Sequence, residues 1–251
     1  MIYSNQYGKV DFWNIPDITE DPELSQTKKV AVTLSGGVDS SFVMFMLCEK
    51  IKELKLDLQV LPFTGVDKLR PTNEWNAREI ALLFKEMYPE INFMDHYVFK
   101  YDHEPNNTSM KRKQHVIHER KLYAEQDIKL WLCGKSANPP IEEVGEKSFL
   151  VKDREVERDT SLGDQYKIFT RIQRDGVYNR WLYRPLAFMH KKFMAEEYKK
   201  HNLMEELFPL TASCIGYAEK TNHFSGPCKV CWWCKEKKWA FGMYDGGEVH
   251  G

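Results

Sequence analysis

Short apolar runs rich in β-branched residues alternate with amphipathic stretches along much of this chain. Residues 29–34, 58–63, 92–100 and 129–133 are brief and dominated by Val, Ile, Leu and Phe, which predicts buried strands. Residues 40–54, 73–87, 109–126 and 190–201 carry apolar positions at helical spacing. Thr72 or Asn73 is placed to cap the second of these helices, and Pro89 follows its end. Strand–helix alternation of this kind predicts βαβ units and a parallel sheet covered by helices on both faces. Residues 136–179 break the pattern. They are charged and punctuated by Pro139-Pro140, Gly145, Gly163 and Gly176, which predicts an active-site loop or a small hairpin excursion. Within them, 167–172 and 177–182 can pair across the turn signal Asp175-Gly176.

The junction of the first strand and first helix carries the most informative residues, Leu34-Ser35-Gly36-Gly37-Val38-Asp39-Ser40-Ser41. Two glycines without side chains let backbone N–H groups close on a ligand, and the helix that follows adds its unpaired N-terminal N–H groups. Ser35, Ser40 and Ser41 offer hydroxyls, and Asp39 can hold Mg²⁺ between phosphates. Neither common nucleotide loop is present. Lys129 stands where a phosphate loop ending in Gly134-Lys135-Ser136 needs its first glycine, and G-x-G-x-x-G does not occur. An ordinary Gly-Ser turn is the plain alternative. The S-G-G-x-D-S order after a buried strand resembles the pyrophosphate (PP) loop of the ATP pyrophosphatase superfamily, whose members cleave ATP between its α and β phosphates and transfer AMP to a substrate oxygen. The fold this implies is a parallel-sheet α/β domain of the adenine nucleotide α-hydrolase-like kind.

Charge narrows the partners. With 36 basic and 37 acidic residues the formal net charge is −1, whereas proteins that live by phosphate-backbone contacts usually carry a basic excess. The basic run from Lys111 to Lys121 reads as a solvated helix face. No stretch approaches the ~20 apolar residues that span a bilayer, and residues 1–26 do not resemble a signal peptide. A cytoplasmic chain is therefore expected. His115 and His118 lie three apart without forming H-E-x-x-H, and read as a surface pair.

Cysteine usage is uneven. Cys48 and Cys133 are isolated, while Cys214, Cys228, Cys231 and Cys234 fall in the last fifth of the chain as C-x13-C-x2-C-x2-C. Two-residue spacings let neighbouring sulfurs converge, and four thiolates complete a tetrahedral zinc, which makes a closed structural site. Such runs also hold iron–sulfur clusters, so iron stays open on spacing. Zinc is expected, because nothing else in the chain asks for electron transfer.

Together, the Ser35–Ser40 loop and the cysteine cluster resemble those of the 7-cyano-7-deazaguanine synthase family, as do Arg184-Pro185-Leu186-Ala187-Phe188-Met189-His190-Lys191 and Thr211-Ala212-Ser213-Cys214. The resemblance covers the first βα unit and residues 184–241. Between them, the family's base-reading motifs are replaced. It implies three segments: an N-terminal extension (1–28), the ATP pyrophosphatase domain (29–210) and a zinc-binding segment packed on it (211–251). It implies ATP, Mg²⁺ and Zn²⁺ as cofactors, a deazapurine carboxylate and ammonia as substrates, and no membrane or nucleic-acid partner; a homodimer is compatible with it. In this reading residues 34–41 bind ATP, Asp39, Ser40 and Lys191 are catalytic, and Arg184 neutralises phosphate charge. The strand ends place Thr64, Asp67, Ser136 and Asn138 around the acceptor. The plain reading of Lys191 and Arg184 is a helix-start lysine and a surface arginine. Two other functions compete: a tRNA-thiolation-like enzyme, for which Cys133 is the available catalytic cysteine, and a non-catalytic nucleotide-sensing module.

Overall fold

A computed structural model describes residues 1–13, 22–102, 108–144, 169–174 and 178–247. Four-residue alternation suffices for a hairpin at the N-terminus. β1 (Ile2–Asn5) and β2 (Gly8–Asp11) pair antiparallel with Tyr3 opposite Val10, and both of these side chains are buried. A single turn, α1 (Pro22–Ser25), leads into β3 (Lys29–Thr33). The expected alternation follows: α2 (Val38–Leu54), β4 (Gln59–Asp67), α3 (Thr72–Met87), β5 (Asn92–Phe93), β6 (Tyr97–Tyr101), α4 (Thr108–Gln126) and β7 (Leu130–Cys133). A short α5 (Ile141–Val144), the strands β8 (Phe169–Arg174) and β9 (Tyr178–Tyr183), and the helices α6 (Lys191–Lys200) and α7 (Trp232–Phe241) complete the regular elements.

The main sheet runs β5-β4-β3-β7-β9-β8, with β6 also on β4, and every pairing is parallel except β8 with β9. The antiparallel partner is the hairpin expected in the charged region; its turn, Asp175-Gly176, lies outside the described residues. The single strand expected over 92–100 is divided. Val60 pairs Phe93 and Phe63 pairs Tyr97, so three residues, Met94 to His96, oppose two, Leu61 and Pro62. That is a β-bulge, and Pro62 brings no N–H to the ladder where it falls. Neither Thr72 nor Asn73 caps α3. Pro71 occupies the cap with φ −69°, the angle its ring fixes, and no side chain bonds there.

Alternation along the strands divides the core. Val30, Val32, Leu130 and Leu132 face a large cluster shared with α2, α3, α6 and the N-terminal hairpin. Ala31, Leu61, Phe63 and Trp131 face a smaller one with Leu122 of α4. His115 and His118 lie on this second face. His118 stacks on Phe99 at 4.2 Å, and His115 meets Phe63 and Phe99 edge-on, so both pack against aromatic rings. Helix α2 is buried on nearly all sides because Phe42 is covered by Tyr3 at 5.6 Å and by Tyr198 of α6 at 5.8 Å. Tyr3, Val10, Phe12 and Leu24, ahead of β3, are therefore core residues. No helix among the described residues is long and apolar enough to cross a membrane.

The carboxyl ends of β3 and β7 bring two glycine turns together. A Cβ on Gly134 would stand 2.4 Å from Ser40 N and 2.5 Å from Asp39 C, both backbone atoms of the first turn of α2. Backbone on both sides cannot yield as a flexible side chain would. Gly134→Ala is expected to cost about 1–3 kcal/mol or more by overpacking and to displace Asp39. A denaturant midpoint equal to wild type would contradict that.

Candidate active site

Backbone conformation builds the loop. Leu34, fully buried, donates its N–H to Phe63 O at 2.8 Å, which ties the end of β3 to β4. Gly36 has φ +79°, and a Cβ there would meet Asn76 Cβ at 3.0 Å and Asn73 O at 3.2 Å. Both conformation and space therefore require glycine. Gly37 caps α2 in an extended conformation. Ser40 Oγ accepts the Ser35 N–H at 3.1 Å and donates to Gly37 O at 3.1 Å, while Ser41 Oγ donates to Gly37 O at 2.9 Å. These two buried hydroxyls hold the shape of the loop. Ser35 is exposed, its hydroxyl 3.1 Å from that of Ser40. Beneath, the Tyr198 hydroxyl donates to Val38 O at 3.0 Å. Burial pushes that phenol well above its ordinary range, so it remains a donor.

Asp39 is the charged centre. Lys191 Nζ lies 2.7 Å from Oδ1 and 2.6 Å from Oδ2, and Ser136 Oγ donates to Oδ2 at 2.9 Å. Three residues from separate parts of the chain, all expected at the site, thus meet. Lys191 is a buried residue at the start of α6, and it touches a second carboxylate, Glu236 Oε2 of α7, at 3.2 Å. Glu236 is completely enclosed. In the sequence it sits in Lys235-Glu236-Lys237-Lys238, which reads as a solvated run, so periodicity gave no sign of it.

The remaining expected residues are placed differently. Arg184 is buried beside Cys133 at the end of β7, and its charge, with those of Lys135 and Arg180, favours the thiolate. Burial outweighs them and raises the Cys133 thiol above its ordinary range. Thr64 is buried, with its hydroxyl donating to Leu34 O at 2.6 Å and lying 2.7 Å from His96 Nε2. Asp67 is also buried, and accepts from Arg70 Nε and Nη2 at 3.0 and 2.8 Å and from Leu69 N at 3.0 Å. Both side chains serve the rim of the sheet itself. Asn138 differs, for its enclosed Oδ1 has no hydrogen-bond partner among the described residues.

Cys214, Cys228, Cys231 and Cys234 converge, with all four sulfurs within 4.8 Å of one another. Backbone N–H groups of Gly216 and Cys228 donate to Cys214 Sγ at 3.3 and 3.2 Å, and that of Cys231 to Cys228 Sγ at 3.4 Å. Donors aimed at sulfur favour thiolates. The cluster is fastened to the loop through a buried ion pair. Asp245 accepts the N–H groups of Ser213 (2.8 and 2.9 Å) and Cys214 (2.8 Å), and Lys237 Nζ lies 2.7 Å from it. Lys237 also donates to Thr211 O at 2.8 Å, and burial lowers its pKa against the opposing pull of Asp245. Next along the chain, Ala212 N donates to Gly36 O at 2.8 Å. Asn76 Nδ2 donates to Leu210 O at 2.7 Å.

No protein family model and no curated protein sequence matches the chain. Among solved structures, the U34-tRNA thiolase NcsA from Methanococcus maripaludis, with its [4Fe-4S] cluster, is similar over 70% of this chain at 15% identity and a TM-score of 0.41. The similarity spans 56% of the thiolase's own length. A likeness this loose assigns no chemistry to the present chain.

Proposed function

We propose that this protein is an ATP pyrophosphatase of the PP-loop kind that adenylates a substrate oxygen, and that its acceptor is a deazapurine carboxylate converted to a nitrile with ammonia. One observation carries the first part. The S-G-G-x-D-S loop joins β3 to α2 at the carboxyl end of a parallel sheet, with Asp39, Lys191 and Ser136 assembled on its rim. Open α/β sheets bind ligands at that end, and a glycine turn running into a helix N-terminus suits polyphosphate.

The chemistry needs no protein nucleophile. A carboxylate oxygen attacks the α-phosphorus of ATP, forming an O–P bond as the bond to the β-phosphate oxygen breaks and pyrophosphate leaves. Ammonia adds to the activated carbonyl and expels AMP, leaving the amide after loss of a proton. A second ATP activates the amide oxygen in the same way, and departure of AMP with the amide protons gives the nitrile. The loop's backbone N–H groups and Lys191 stabilise the charge that develops on the phosphates, and positioning supplies much of the remainder. Asn138 Oδ1, enclosed and without a partner among the described residues, supports a place for a donor on the acceptor base, since leaving such an atom unpaired costs about 1–3 kcal/mol.

The cysteine cluster fits one zinc. A tetrahedral site with Zn–S bonds near 2.3 Å has sulfurs about 3.8 Å apart, within the 4.8 Å seen here. A four-iron cubane interposes its own width and holds its thiolates much further apart. A closed four-thiolate zinc has no open position, so its contribution is structural.

Incubation with ATP, Mg²⁺, ammonium and 7-carboxy-7-deazaguanine, read by mass spectrometry, tests the reading. AMP, pyrophosphate and the nitrile are expected. AMP formation only with tRNA and a sulfur donor would move the protein to RNA thiolation, against which the raised pKa of Cys133 counts. Nucleotide binding without turnover of any acceptor would make it a sensing module.

A further inference from the structure

Two carboxylates and one ammonium meet beside the loop. Lys191 Nζ stands between Asp39, at 2.6 and 2.7 Å, and Glu236, at 3.2 Å. The side chains of Lys191 and Glu236 are 3% and 0% exposed, whereas that of Asp39 is 18% exposed. Lys191 therefore occupies both Asp39 oxygens, including the one that also accepts from Ser136. A carboxylate so engaged is closed to a cation until the ammonium withdraws. An ammonium that withdraws inside the protein with no counter-ion carries a large desolvation cost.

We propose that Glu236 is a positioning residue: it is the second counter-ion that lets Lys191 release Asp39 to a nucleotide-bound divalent cation. The inference rests on the ATP-loop reading above and adds a residue and a role to it. The geometry suits the role in three respects. Glu236 is slightly more distant from Lys191 than Asp39 is, so the ammonium rests on Asp39 and has a nearby carboxylate to fall back on. Glu236 stands on the helix whose N-cap is Cys231 and whose first turn contains Cys234, so the cysteine cluster fixes its position. The next residue, Lys237, anchors that helix to Thr211 and Asp245, which holds Glu236 at a set distance from the loop.

The test uses the full chain with its metal bound and α,β-methylene-ATP, which cannot be cut at the α–β bond. Binding is measured calorimetrically over a Mg²⁺ series and in EDTA. In Glu236→Gln, Lys191 keeps Asp39 alone as counter-ion among the described residues and holds it more tightly. The Mg²⁺ concentration for half-maximal binding is expected to rise about tenfold, while affinity for the Mg²⁺-free nucleotide stays within about twofold of wild type. A mere loss of packing would weaken both forms together. Glu236→Asp keeps the charge and is expected to retain most of the Mg²⁺ response; should the glutamine variant fail to fold, a tenfold loss of that response in Glu236→Asp would overturn the inference. In Lys191→Met the further change Glu236→Gln is expected to leave the Mg²⁺ dependence unchanged, because no ammonium then covers Asp39. Equal weakening of both nucleotide forms, or an unaltered Mg²⁺ dependence in Glu236→Gln, would overturn the inference while leaving the ATP-loop reading intact. Absence of nucleotide binding by the wild-type protein in both conditions would overturn both.

Discussion

Asp39→Ala is expected to lower pyrophosphate release by about 10²–10³-fold, the scale seen when one preorganised charge-stabilising group is removed from an acyl-transfer site. The fold should survive. Asp39 is the exposed member of its ion-pair cluster, and Lys191 keeps Glu236 at 3.2 Å, so the ammonium is not left without a counter-charge. The stability cost is expected at about 1–3 kcal/mol, that of depriving a buried donor of its acceptor. Circular dichroism should be unchanged and the melting temperature lowered by roughly 2–12 °C. Steady-state pyrophosphate release and a melting curve, run on the same preparation, read both quantities. Release at the wild-type rate would remove Asp39 from the chemistry. Collapse of the fold would show that the carboxylate belongs to the core.

How far the sequence predicts this site depends on whether the information is local. The β3–loop–α2 unit is legible because each part is: a β-branched strand, two glycines, then an apolar helix. The same holds for the cysteines, whose spacing announces convergence before any fold is known. The sequence places Lys191 at the phosphates and Ser136 around the acceptor, but does not reveal their attachment to Asp39, since it joins residues 152 and 97 positions away. Glu236 and Lys237 were invisible for a different reason. Binary patterning assigns charged residues to the surface, whereas these two are wholly enclosed and matched to opposite charges on other elements. Gly134 belongs to no complete phosphate motif. Its requirement is steric, set by the backbone of Asp39 and Ser40 across the sheet edge. Thr64 and Asp67 fell at a strand end, where acceptor-reading groups belong, yet their polar atoms are engaged by Leu34 and Arg70. The N-terminal hairpin was missed because four-residue strands give too short a period to register.

Removing the metal is expected to have the largest effect on stability, and it links the two halves of the site. Four thiolates held within 4.8 Å of one another repel once the cation is gone, which leaves the contacts of Asp245 with Cys214 N and with Lys237 to hold the segment between Cys214 and Cys228 to α7. With α7 released, Lys237 no longer holds Thr211, and the bond from Ala212 N to Gly36 O loses its support. Structural zinc contributes its binding energy directly to folding. A loss of about 5 kcal/mol, corresponding to a fall of roughly 10–20 °C in melting temperature for a chain of this size, is expected on chelation or in Cys231→Ser. Elemental analysis of the untreated protein should give one zinc per chain. Nucleotide affinity should fall with the metal, since the peptide backing Gly36 is tied to the cluster; the loss should be reversed by adding zinc to the chelated protein. Iron with acid-labile sulfide in the purified protein would refute the zinc assignment. A metal-free protein that melts and binds ATP as before would separate the cluster from the loop, and the contacts running from Cys214 through Asp245, Lys237 and Ala212 to Gly36 would then carry no energy between them.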